Sequence, residues 1–219
     1  MCNRATIEPC MKESERNGGY LDSIIIPIEN FRLAGAALAT GSGNVRASEE
    51  LAAYSLKWMP TATTTDDVAA TGHLPGWIME DPKGDSFVCK VHVNALQYDY
   101  GATGTGGATL DADIKLQATL FIFNRAGELA YSSGAIAADA VLGVASVNGT
   151  LTGIKYQTFD FGADMTAAEK KAIQKGGWFA LRLAPNESVG ADVHVHAFSC
   201  CMDLMRHARC QADVTNPRT

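Results

Sequence analysis

Several things are scarce in this chain, and each shortage removes a class of protein. Acidic residues outnumber basic ones by 24 to 18, a formal charge of −6, and no run of Lys or Arg stands out. A broad phosphate-neutralising footprint of the kind nucleic-acid binders use is therefore not expected. No apolar stretch approaches the roughly 18–20 residues that a membrane-spanning helix needs. Leu33–Ala39, the longest candidate, is short and rich in Ala and Gly. The first residues, Met1-Cys2-Asn3-Arg4, followed by Glu8, Lys12, Glu13, Glu15 and Arg16, hold no apolar core before Gly18, so they do not read as a secretory signal. The expectation is synthesis and folding in a host cytoplasm.

Cysteine chemistry is also thinly signalled. The six cysteines are Cys2, Cys10, Cys89, Cys200, Cys201 and Cys210, and none lies in a Cys-x-x-Cys pair. A zinc ribbon is excluded, and a reducing compartment makes free thiols the expectation. The adjacent Cys200 and Cys201 would point to opposite faces of a strand, so one metal would not take both. There is no Gly-x-Ser-x-Gly elbow. Gly101–Gly107 is not followed by the helix and Lys-Ser/Thr of a phosphate cradle, and reads as a loop between strands. Asp66-Asp67 and the Asp111/Asp113 pair lie near turns, where Asp caps backbone groups. Without a secretion signal, the sequons at Asn148 and Asn186 carry little meaning.

What remains is a strand-rich pattern in 219 residues that are 47% hydrophobic, enough for one large core. Residues 1–20 are polar, aperiodic and end in Asn17-Gly18-Gly19, which suggests an N-terminal arm; residues 206–219 suggest a C-terminal tail. The body would be 21–205. It opens on Ile24-Ile25-Ile26-Pro27-Ile28, an edge strand by its proline, and 41–48 reads as a turn-rich break. Strands are expected over Leu51–Met59, with Leu56 and Trp58 on one face, and over Asp67–His73. Ser86–Tyr100 is the clearest: Phe87, Cys89, Val91, Val93 and Ala95 alternate with Val88, Lys90, His92 and Asn94. In Asp111–Asn124, Ile114, Leu116, Ala118, Leu120 and Ile122 line one face, and Glu128–Ser133 returns as a hairpin partner.

Residues 134–150 are small and give no clear pattern. Ile154–Phe161 alternates again. Thr166-Ala-Ala-Glu169 fits a capping box, predicting a short helix through about Gln174 that stops at Gly176-Gly177. Trp178–Leu183 and Asp192–Met202 complete the strands. Eight or nine strands with one short helix predict an all-β, antiparallel two-sheet sandwich, jelly-roll-like, with terminal arms. A doubly wound α/β fold would need a helix between most strands.

Two constellations suggest chemistry. His194-Val195-His196 sets two imidazoles on one strand face, roughly 6.5–7 Å apart, and His92 could join them across the sheet as a cupin-like metal site. The spacing departs from that pattern: Gly190 lies one residue too near, and the next acid is Asp203 rather than a Glu at the expected distance. The alternative reading has these histidines alternating with core valines, with no catalytic, cofactor or metal residue assigned. Trp58, Trp77 and Trp178 could form a sugar-stacking platform of a carbohydrate-binding module; core packing is the other reading.

Taken in order, the polar arm, Leu51–Pro60, Asp67–Pro75, Gly84–Val91, Tyr156–Phe161, the capped helix, Lys175–Leu183 and Asp192–Phe198 resemble tailed-bacteriophage virion proteins with a jelly-roll fold, especially the capsid decoration or cement type. The resemblance spans roughly residues 50–200. It implies a non-enzymatic sandwich on a viral capsid, commonly a homotrimer, whose arms clamp neighbouring virion subunits, with no nucleic-acid or membrane partner and no cofactor. The cysteine count departs from that family.

Overall fold

The computed structural model describes residues 19–33, 45–48, 55–58, 67–74, 88–99, 114–145, 154–173, 177–186 and 193–207. They form two sheets around one core. Sheet A holds β1 (Gly19–Ile26), β3 (Val45–Ser48), β4 (Ser55–Trp58), β6 (Val88–Asp99), β10 (Gly143–Ala145), β11 (Lys155–Asp160) and β13 (Val193–His207). Sheet B holds β2 (Arg32–Leu33), β5 (Val68–His73), β7 (Leu116–Phe123), β8 (Leu129–Ser132), β9 (Ile136–Ala137) and β12 (Trp178–Pro185). All pairings are antiparallel except β10 with β6.

The chain changes sheet again and again. β1 lies in A, β2 in B, β3–β4 in A, β5 in B, β6 in A, β7–β9 in B, β10–β11 in A, β12 in B and β13 in A. Such repeated crossing wraps the two sheets around each other, so the fold is an all-β, two-sheet, jelly-roll-like sandwich. The long partners β6 and β13 run side by side from Val88↔Met205 to Asp99↔Val193, with a bulge between Ala197 and Ser199. That bulge lets Ala197 and Cys200 both face inward, since one extra residue restores the parity.

Alternation puts the right residues in the core. On β7, Leu116, Ala118, Leu120 and Ile122 are buried while Gln117, Thr119, Phe121 and Phe123 lie on the outward side. On β6, Cys89, Val91, Val93 and Ala95 are fully buried. They meet Phe159, Met202, Leu204, Phe179, Leu181 and Leu183 in one continuous cluster.

The structure departs from the sequence expectation in four places. Val45–Ser48, read as part of a turn-rich break, is β3 and pairs with β4. The small residues of 134–150 supply β9 and β10. A four-residue helix, α1 (Phe161–Asp164), capped by Asp160 onto the Ala163 amide, precedes the expected one. Finally, β1 begins at Gly19 and β13 reaches His207, so sheet A takes in residues at both ends that were assigned to the arm and the tail. The remaining residues of 1–18 and 208–219 lie outside the described ones.

The expected helix is α2 (Ala167–Ala172), ending about two residues earlier than its pattern suggested. Thr166 Oγ1 accepts from the Glu169 amide, while the Glu169 carboxylate accepts from the Thr166 N–H at 2.8 Å. These bonds from the Thr166 backbone and hydroxyl hold the Glu169 carboxyl below its usual range. The cap is thus at full strength above the ordinary Glu pKa and is lost as pH falls through the depressed one.

Candidate functional site

Two outward surfaces hold the residues with chemistry. On sheet A, cross-strand pairing aligns Thr158 (β11), His92 (β6), Cys201 (β13) and, one step along, Asp203 (β13) with Ser23 (β1). His92 Nδ1 is 3.2 Å from Thr158 Oγ1 and its Nε2 is 3.2 Å from Asp203 Oδ2. Asp203 also accepts from Ser23 Oγ at 2.5 Å. Tyr156 stacks on the His92 ring with centroids 4.7 Å apart, and Lys90 pairs with Asp160 at 3.0 Å.

This row looks like a hydroxyl–imidazole–carboxylate relay, but its parts are already engaged. Tyr156 covers one face of the imidazole. The nearby Cys201 thiol is pushed up by burial and by Asp203, against a hydrogen bond from Tyr156 that lowers it. Tyr156 itself is pushed up to about 12, chiefly by desolvation. A protonated thiol is a poor nucleophile. The row spans four strands of sheet A, β11, β6, β13 and β1.

The same burial argument sorts the thiols. Cys200 faces the core and Cys201 faces outward, as adjacent residues of a strand must. Burial drives the Cys89 and Cys200 thiols far up, with Asp160 and Asp203 adding to Cys89. In the native protein, an aromatic disulfide reagent at pH 8 should therefore label Cys201 and leave Cys89 and Cys200 unlabelled. Peptide mapping by mass spectrometry reads this directly, and native labelling of Cys89 would contradict the packing.

The three histidines of the alternative, cupin-like metal reading do not converge. His92 sits opposite Cys201, whereas His196 sits opposite Leu96, four residues further along β6 and so roughly 13 Å away at strand rise. His194 and His196 do share a face, with ring centroids 6.4 Å apart. His196 is fully buried, its Nδ1 2.9 Å from Ser55 Oγ. Among the described residues no group of three His, Cys, Asp or Glu side chains is placed to hold a metal. Ser55 and Lys57, expected on the solvent side of β4, are buried there beside His196.

Sheet B offers a different surface. Its outward rows read across the strands as Arg32, Ala69, Arg182 and Thr119; then Thr71, Ala180, Phe121 and Ser132; then His73, Trp178, Phe123 and Leu129. Arg32, Thr71, His73, Leu129, Ser132 and Arg182 are exposed, and Phe121, Phe123 and Trp178 are half-buried. Trp178 and Phe123 stack face to face at 3.9 Å and 9°. The Arg182 guanidinium carbon lies 5.2 Å from the Phe121 ring centroid, a cation–π distance.

That geometry settles how the tryptophans are used. Trp58 is in the core at 2% exposure, and Trp77 lies outside the described residues. Trp178 lies half-buried on the outward face of sheet B with one ring face covered by Phe123. With Trp58 in the core, the alternative three-tryptophan platform does not form. Phe121 and Phe123 escaped the sequence reading because they fell on the side the alternation assigned to solvent. The signal available was Leu120-Phe121-Ile122-Phe123, an apolar run where every second residue should have been polar.

No protein family matches the chain, and no curated protein sequence is similar to it. Its fold is similar to that of several solved structures. One is infectious bursal disease virus of the Gx strain, at 12% identity and TM-score 0.46, covering 87% of this chain and 32% of that one. Another is the subviral particle of VP2 from infectious bursal disease virus, at 10% identity and TM-score 0.44, covering 86% of this chain and 32% of that one. A third is the xylan-binding module CBM15, at 8% identity and TM-score 0.42, covering 84% of this chain and 96% of that one. The chain spans about a third of the length of the viral chains it matches. At these identities and TM-scores no residue role passes with the likeness.

Proposed function

We propose that this protein is a non-enzymatic structural subunit of a virion, of the jelly-roll decoration or cement type found in tailed phages. It would attach to shell subunits and associate with its own copies, with a trimer favoured. The observation that carries this is the outward face of sheet B. The solvent side of an antiparallel sandwich is ordinarily polar, yet this one presents Phe121, Phe123, Trp178 and Leu129, the last 55% exposed. Aromatic residues and Arg are the side chains enriched where proteins meet.

The test is protein composition of virus particles purified through a density gradient from an infected culture of the source. The chain should co-sediment with the shell in fixed ratio to the major shell protein. Its absence from particles, with the chain present in the lysate, would overturn the reading.

A further inference from the structure

Resting on that reading, we infer that the outward face of sheet B docks onto an acidic surface of a second copy of this chain, in a head-to-tail contact. The first argument is charge. The chain carries 24 acids against 18 bases, but the strands of this face contribute Arg32, Arg182 and His73 and no carboxylate; Asp67 stands just before β5 and Glu128 just before β8. Arg32 and Arg182 flank Ala69 on the same row, one strand to each side. Among the described residues Arg182 makes no ion pair, and its guanidinium rests on Phe121 instead.

A face so depleted of acids on a net acidic protein leaves the surplus acid on its other surfaces. A second copy is therefore a partner of complementary charge that is always at hand. Because the cationic face and the acidic surface are different patches, the contact is heterologous, and closing it into a ring gives a cyclic oligomer such as a trimer.

The second argument is composition. The Trp178–Phe123 stack and Phe121 supply rigid apolar area; Arg182 offers a planar fork of N–H groups to a carboxylate, while Arg32 donates its Nη1 to the Glu29 and Phe31 carbonyls and keeps Nε and Nη2 for a partner. Lysine, which interfaces disfavour, does not occur in the strands of this face. Nucleic acid would also welcome Arg beside rings, but it needs open ring faces for bases to stack on. Here Phe123 covers one face of Trp178 and Arg182 one face of Phe121, and the chain's net charge of −6 works against phosphate.

Sedimentation velocity of the purified full chain over a concentration series tests this. The wild type should associate at low salt and dissociate as salt rises. R182E should weaken association at least tenfold with unchanged circular dichroism and melting temperature, and F123A at least tenfold with unchanged circular dichroism and a melting temperature lowered only by the loss of its stack on Trp178. K171E, on exposed α2, should leave association as in the wild type.

R182K treated with a zero-length carbodiimide, in a mixture of isotopically light and heavy protein, should give a cross-link from that position to a carboxylate of the other copy. A chain that is monomeric at every concentration would overturn the inference. So would association untouched by R182E, or an R182E-sensitive gel shift of a single-stranded oligonucleotide by a monomer. A monomer that still co-sediments with virus particles would sink this inference and leave the virion assignment standing.

Discussion

Replacing Trp58 with alanine is expected to destabilise the protein by about 3–5 kcal/mol, the range for deleting a large buried aromatic side chain. Trp58 is 2% exposed and faces inward from β4, opposite Val195 on β13 and Val45 on β3. β4 is only four residues long, so its own hydrogen bonds anchor it weakly, and the indole is its main hold on the core. A domain of this kind is stable by only about 5–15 kcal/mol in total, so the loss is a large share of the whole. It should appear as a lower urea midpoint with an unchanged slope. Trp58→Phe should recover part of the loss.

The comparison that gives this prediction its edge is Trp178→Ala. That indole stands half-buried on the outward face of sheet B against Phe123. Its removal should cost only the stacking and partial burial, about 1 kcal/mol. If Trp58→Ala proved as mild as Trp178→Ala, Trp58 would not be in the core and the sugar-platform reading would regain its footing.

The contrast between these two tryptophans also shows which parts of the molecule were legible beforehand. Strands β6 and β7 bury one face against the opposite sheet, so their sequences alternate and their inward residues could be named one by one; in β13 the bulge between Ala197 and Ser199 interrupts that alternation. The capping box at Thr166 and Glu169 was equally plain, because both bonds are local. Strands β2, β3, β9 and β10 left no such trace. They are two to four residues long and hold their places by backbone pairing, which is blind to side chains.

Parity could not tell outward from exposed. Lys57 and His196 fall on the outward side of sheet A by period two, and both are buried. The outward face of sheet B failed to announce itself for a related reason. Its members come from β2, β5, β7, β8 and β12, and only the strand order places Arg32 and Arg182 on either side of Ala69. Strand order follows from how the whole core closes, which no local window contains. The histidines illustrate the same limit. The spacing of His194 and His196 was read correctly along the strand, but the register of β6 against β13 decided that His92 meets Cys201.

Gly72→Ala carries the next largest expected effect, with a sign opposite to the usual rule. Glycine within a strand is ordinarily a weak point, since it adds backbone freedom to the unfolded chain and packs nothing. Alanine would then be neutral or better. Gly72, however, lies on the inward side of β5 directly opposite Phe179, whose ring fills the space a side chain would take. A Cβ there would come within 2.5 Å of Phe179 Cζ and 2.7 Å of Cε1.

Phe179 is 1% exposed and cannot swing into solvent. Either the ring leaves its rotamer or β5 moves off β12, and overpacking of this kind costs about 1–3 kcal/mol. The cause can be isolated by a double-mutant cycle with Phe179→Leu, which vacates the ring positions. The penalty of Gly72→Ala should shrink in that background, leaving a coupling of about 0.5–3 kcal/mol. Gly134 provides the control, because a Cβ there meets nothing within 4 Å; Gly134→Ala should be neutral or stabilising by up to about 1 kcal/mol. If both alanines behaved alike, Phe179 would not be resting on Gly72, and the β5–β12 register that places Arg182 beside Ala69 would have to be redrawn with it.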